Sequence, residues 1–133
     1  INMCSYGAYE LLRTSNNIDL TIFASGSEVS LAIEVAKKWR TKKVRVVSMP
    51  CWEIFNDQTE EYKKELIPDR GNLKVSIEAG ITNGWEKYIG NNGLAIGINH
   101  FGSSAPATDL AIEFGFTPDQ VTNKIEKYLK ELL

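Results

Sequence analysis

Cys51, His100 and Glu78 supply a thiol, an imidazole and a carboxylate. From such groups a nucleophile, its general base and the base's orienting partner can be built. All three stand where expected strands end, and His100 is the chain's only histidine. Thiol–imidazole pairs are recognised by geometry, and no local signature surrounds Cys51. The plainer reading is a packed thiol and a hydrogen-bonded loop histidine. Gly26 and Ser27 suggest different chemistry. In "TIFASGSEVSLAIEV" an apolar run passes through one glycine into a periodic segment, and free N–H groups at a helix start can hold an anion. The dinucleotide fingerprint, however, needs three glycines, and "GSEVSL" has one. An acid should also end the next strand, where Ser48, Met49 and Pro50 stand, and no Walker A sequence occurs. Glu28 already presents a carboxylate to the helix start. Gly26 and Ser27 are therefore a weak anion-site candidate and read first as a strand-to-helix turn. Trp52, Ile54 and Phe55 follow a strand end in "PCWEIFND", and Phe101 stands similarly in "NHFGSSAP"; the aromatics among them read as core caps or as a docking surface. One histidine, and no CxxC or Cys/His cluster, gives no zinc pattern.

These residues need elements to position them. Tyr6–Leu12 reads as a short strand followed by the turn "RTSNN". Asp19–Ser25 is a buried strand, and Val29, Ala32, Ile33, Ala36 and Trp39 then recur at helical spacing, a stripe widened by Leu31 and Val35. Lys43–Met49, Leu73–Ala79 and Gly93–Asn99 are further strands. Glu53–Ile67 reads as one or two short helices, "TNGWEKYIG" as another, and "SAPATDLAIEFG" as a helix closed by Gly115. Thr117, Pro118 and Gln120 form a capping box with proline at its preferred position, and Val121, Ile125, Tyr128 and Leu132 make the buried stripe of the final helix. This alternation predicts a three-layer α/β/α sandwich around a five-stranded, mostly parallel sheet. The first strand, joined to the second by a turn alone, should run antiparallel at or near an edge. In a parallel sheet the strand carboxyl ends share one edge, where ligands usually bind. "ASGSE", "SMPCW", "EAGI" and "NHFGSS" collect on that rim.

Composition narrows the function classes. The 133 residues fit one domain with a core that needs no staples. Fifteen basic and 17 acidic residues, net charge −2, are spread along the chain and leave no footprint for nucleic acid or an anionic membrane. No apolar run is long enough for a membrane span, and no segment reads as a signal peptide. Two cysteines, Cys4 and Cys51, are no disulfide framework and favour a reducing cytoplasm. The start at Ile1 reads as a segment taken from a longer polypeptide.

Four motifs stand in register along the chain: "FASGSEV", "VRVVSMP", "SIEAG" and "FGSSAP" with "EFGFTPDQV". In order and spacing they resemble the C-terminal domain of transketolase, over about Tyr9 to Leu129. 1-Deoxyxylulose-5-phosphate synthase and the pyruvate dehydrogenase β subunit end in a similar fold, but "FGSSAP" with "EFGFT" favours transketolase proper. The resemblance implies a single domain, residues 1–133, excised from a longer enzyme. That enzyme would transfer a two-carbon ketol unit between sugar phosphates in the pentose phosphate pathway, using thiamine diphosphate and a divalent metal (magnesium or calcium). The family's "GDG…N" motif, its cofactor-activating glutamate and its phosphate-gripping arginine and histidines belong to earlier domains. No catalytic, cofactor-binding or metal-binding residue therefore carries over. The resemblance leaves Gly26, Glu78, Gly80, Gly102 and Pro106 as turn and loop residues of the rim. It makes Trp52, Phe55, His100 and Phe101 candidates for contact with the preceding domains or the second subunit of a homodimer. Two other readings are a free-standing small-anion binding module and a thiol hydrolase using Cys51 and His100.

Overall fold

The computed structural model describes residues 6–26, 28–67, 73–78, 84–90, 92–97 and 117–132. Strands β1 (Tyr9–Arg13), β2 (Leu20–Ala24), β3 (Val44–Ser48), β4 (Leu73–Glu78) and β5 (Leu94–Gly97) form one sheet in the order β1-β3-β2-β4-β5. β3, β2, β4 and β5 are mutually parallel, and β1 runs antiparallel to β3 at the edge. Every residue of β2 and β3 is buried, as expected of central strands covered on both faces. Edge strand β1 is half exposed and shifts register between Glu10 and Leu12.

β1 begins at Tyr9 rather than Tyr6 and continues into Arg13, which the sequence had placed in the turn. The start is displaced because the preceding residues are tied elsewhere. Cys51 N–H donates to the Gly7 carbonyl at 3.1 Å, and Tyr62 Oη donates to the Ala8 carbonyl at 2.6 Å. Gly7 has φ +81°, and a Cβ there would collide with Phe55 N and the Cys51 carbonyl, so this close approach requires glycine.

Helix α1 (Glu28–Lys38) carries Glu28 in its first turn and Lys37 and Lys38 in its last, matching the helix dipole. The segment after β3 resolves into α2 (Trp52–Asn56) and α3 (Glu60–Leu66), with the Thr59 side chain capping α3 through Tyr62 N–H at 3.1 Å. α4 (Glu86–Ile89) is a single turn. α5 (Pro118–Leu132) starts in the expected box: Gln120 N–H donates to Thr117 Oγ1, and Thr117 N–H to Gln120 Oε1, both at 3.3 Å. Val121 and Ile125 are buried, but Leu132 is 48% exposed, which corrects the expected stripe. Leu129, not Leu132, packs against the core near the helix end. The helix expected over "SAPATDLAIEFG" lies outside the described residues.

The sheet thus separates two cores. α1 and α5 cover Leu20, Ile22, Val44, Val46, Val75 and Ile77 on one face. On the other, Phe55 of α2, Leu66 of α3 and Tyr88 of α4, together with Trp85, cover Phe23 and Val47. Among the described residues no helix is long and apolar enough to cross a membrane.

Candidate functional site

The chain leaves β2 through α1 toward β3, and leaves β4 through α4 toward β5 on the opposite side. Connections that diverge in this way open a crevice at the carboxyl ends of neighbouring strands, here β2 and β4. Ser25 and Glu78 face each other across it, and Ser25 Oγ donates to Glu78 Oε2 at 3.1 Å. Glu78 is therefore engaged by a hydroxyl. His100, which it was to orient, lies outside the described residues, as do Ser27, Gly80, Phe101, Gly102 and Pro106. Gly26 sits at φ +60° with open space where a Cβ would stand. Its glycine is needed for the left-handed turn, not for close approach of a neighbour. Glu28 N–H donates to the Ser25 carbonyl and Val29 N–H to that of Gly26, both at 3.3 Å, so the first helical donors close the turn.

The aromatic part of the rim is organised by α2. Phe55 is buried at 2% exposure, and Trp52 is half-buried. The Trp52 ring meets Trp85 edge-on at 4.8 Å between centroids and Tyr88 at 5.1 Å. It also lies against Gly84, where a Cβ would fall 2.8 Å from the indole. The structure brings Trp52 and Phe55 together with Trp85 and Tyr88, which the sequence analysis had not singled out. Their signal was the aromatic pair at i, i+3 in "NGWEKYIG", one helical turn apart. Cys51 precedes α2 and is half-buried, with Sγ 4.0 Å from Glu53 Oε2.

A buried charge completes this face. Arg45 is 7% exposed. Its Nε donates to Thr21 Oγ1 at 3.3 Å, one terminal nitrogen donates to the Leu66 carbonyl, and the other lies 3.6 Å from Glu10 Oε1. Burial pulls the guanidinium below its usual range, and the Glu10 charge opposes that. Arg13 binds the same carboxylate, with Nη2 at 2.7 Å from Oε1. Tyr62 is pushed up by burial, then by Tyr6 and Glu65. Among the described residues no group of three His, Cys, Asp or Glu side chains could hold a metal ion.

The sequence profile of the Transketolase-like TK C-terminal domain family matches residues 7–117. The chain is 46% identical to the transketolase of Aquifex aeolicus over 125 residues, covering 92% of this chain and 18% of that protein. It is 44% identical to the chloroplastic transketolase of Solanum tuberosum, covering 81% of this chain and 15% of that one. The solved structure of transketolase from Leishmania mexicana superposes with a TM-score of 0.84 at 41% identity, over 96% of this chain and 18% of that one. The chain thus spans less than a fifth of the length of these relatives.

Proposed function

Because the chain belongs to the transketolase-like C-terminal domain family, we propose that it is a non-catalytic domain of a transketolase, serving assembly, domain docking or regulation. The parent enzyme transfers a two-carbon ketol unit between sugar phosphates, in the pentose phosphate pathway of the cytoplasm, as a homodimer. Its thiamine diphosphate and divalent metal are held by other domains. The described residues do not fit those groups. They contain no metal-binding cluster, and the turn at Gly26 is followed by the Glu28 carboxylate at the position where a diphosphate would need positive potential. No chemical step is therefore assigned to this chain.

The observation that carries the reading is the match of the family profile across residues 7–117. The docking role is supported by Trp52. It is anchored on one side by Trp85 and Tyr88, while its half-burial leaves indole surface for a neighbour. Phe55 supports that anchor from within the core; His100 and Phe101 complete the proposed contact.

The test is a chimera in which this chain replaces the matching region of the Aquifex aeolicus transketolase. The chimera should retain ketol transfer, while this chain alone shows none. A folded, cofactor-loaded chimera without turnover would reject the reading. Trp52→Ala in the chimera should weaken assembly, read by sedimentation and melting, and leave kcat near that of the parent chimera. Unchanged assembly would return Trp52 to a purely internal role.

A further inference from the structure

α2, α3 and α4 line an open, shallow cavity of about 230 Å³ on the face opposite α1 and α5. Phe55, Ile67 and Tyr88 give it an apolar lining, and Asn56, Glu60, Lys63, Lys64 and Lys87 supply its polar groups. Three ammonium groups thus face one carboxylate, in a chain whose net charge is −2. Lys63 is already matched, with Nζ 2.9 Å from Glu60 Oε1 and 3.1 Å from the Asn56 carbonyl. Lys64 and Lys87 are exposed and form no ion pair among the described residues. Lys87 Nζ is held 5.4 Å from the Tyr88 ring centroid. Tyr88 Oη donates to Asn56 Oδ1 at 3.1 Å, which turns the asparagine so that its amide N–H groups remain as donors. The cavity therefore offers cationic and amide donors over an apolar lining.

Another cavity on this face shows what a closed set of charges looks like. It holds Arg13 and Arg45 with Glu10 and Glu65, and the Glu10 carboxylate already lies between both guanidiniums. The cavity at Lys64 and Lys87 holds one carboxylate, Glu60, which Lys63 already pairs, so its ammonium groups are in excess.

We propose that the Lys64–Lys87 cavity is a binding site for a small phosphate monoester. The phosphate would take Lys64, Lys87 and the Asn56 amide, since lysine binds phosphate as a point charge. A short carbon portion would lie on Phe55, Ile67 and Tyr88. The volume sets the size, because drug-sized ligands occupy roughly 300–1,000 Å³, so a molecule of a few carbons fits. This reading rests on the cavity alone and is independent of the role proposed for the whole chain.

The test is amide-shift titration of the 133-residue chain with glycerol 3-phosphate, inorganic phosphate and glycerol. Glycerol 3-phosphate should give saturable shifts centred on Asn56, Lys64 and Lys87, inorganic phosphate the same pattern more weakly, and glycerol none. Lys64→Gln with Lys87→Gln removes two charge-assisted bonds and should weaken binding at least about tenfold. Lys37→Gln with Lys38→Gln makes the same change in net charge at the end of α1 and should leave binding intact, as should Lys87→Arg. No saturable response, shifts centred elsewhere, or equal weakening by both double variants would overturn the site. The amide spectrum itself reports whether each variant is folded.

Discussion

The two faces of the sheet are built by different rules. Under α1 and α5 the buried residues are aliphatic apart from Trp39, and Val and Ile from the strands meet Ala32, Val35, Val121 and Ile125. Under α2, α3 and α4 the strands present Thr21, Arg45 and Ser76 beside Phe23 and Val47, and the covering residues are largely aromatic. An aliphatic interface needs shape and pattern alone. A mixed one must also place its polar atoms, since an unpaired buried group costs about 1–3 kcal/mol; Thr21 and Arg45 are bonded to each other, whereas Ser76 Oγ is buried with no hydrogen-bond partner among the described residues. Bonds therefore place individual groups on the second face: Arg45 to Thr21 and Leu66, Tyr62 to Ala8, Tyr88 to Asn56. That face also carries the aromatic rim and the lysine cavity, because groups placed singly are the ones that can present chemistry outward.

The sharpest test of this contrast is Trp85→Ala. Trp85 is 1% exposed and anchors Trp52 and Tyr88. Its removal should cost about 3–5 kcal/mol, and hydrogen exchange should show α2, α3 and α4 losing protection while α1 and α5 hold theirs. Equal loss on both faces would mean that they form one cooperative unit.

Ile125→Ala probes the aliphatic side and should cost about 2–5 kcal/mol. Here protection should fall across the whole sheet, because α5 and α1 share one core with the central strands. A urea midpoint lowered without a change in slope is the expected readout; loss of protection confined to α5 would break the contrast. Thr117→Ala should cost about 1 kcal/mol by removing the box at the start of α5, and Thr117→Asp should restore most of it. An unchanged melting curve would mean that the cap adds nothing to the pattern-driven face.

The smallest effect belongs to Glu10. The Arg13 hydrogen bond, outweighing partial burial and aided by the charges of Arg13 and Arg45, holds its carboxyl below the ordinary range. A carboxyl lowered in the folded state stabilises the fold fully above its unfolded value. That contribution drains away as pH falls through the folded value. Glu10→Gln should therefore cost less than about 1 kcal/mol at pH 7, as exposed pairs do. The difference from the parent chain should shrink below about pH 4.3. Urea midpoints at pH 7 and pH 3 measure it, and a gap of constant size would remove the electrostatic account.

Much of this was legible before any coordinates. The five strands, the helical character of Glu53–Ile67 and the box at Thr117 follow from local patterns to within a few residues; that this segment forms two helices rather than one does not. Leu132 was misplaced because periodicity continues to the end of a helix whether or not a partner surface does. The start of β1 was misplaced because Gly7 is held by α2, a contact between residues far apart in sequence. Of the rim residues, Trp52 and Phe55 were found as aromatics beside a strand end. What they touch was not legible.

By itself the sequence determined the element types, the parallel strands with one antiparallel edge, and the family. These rest on hydrophobic period, cap chemistry and motif order, all of which are properties of short segments. Tertiary structure alone decided that β3 lies between β1 and β2, that Trp52 meets Trp85 and Tyr88 edge-on, that Arg45 is buried against the Leu66 carbonyl, and that Lys64 and Lys87 line one cavity. Each of these is a meeting of distant segments, and local propensity carries no information about which distant segment will cover a given face.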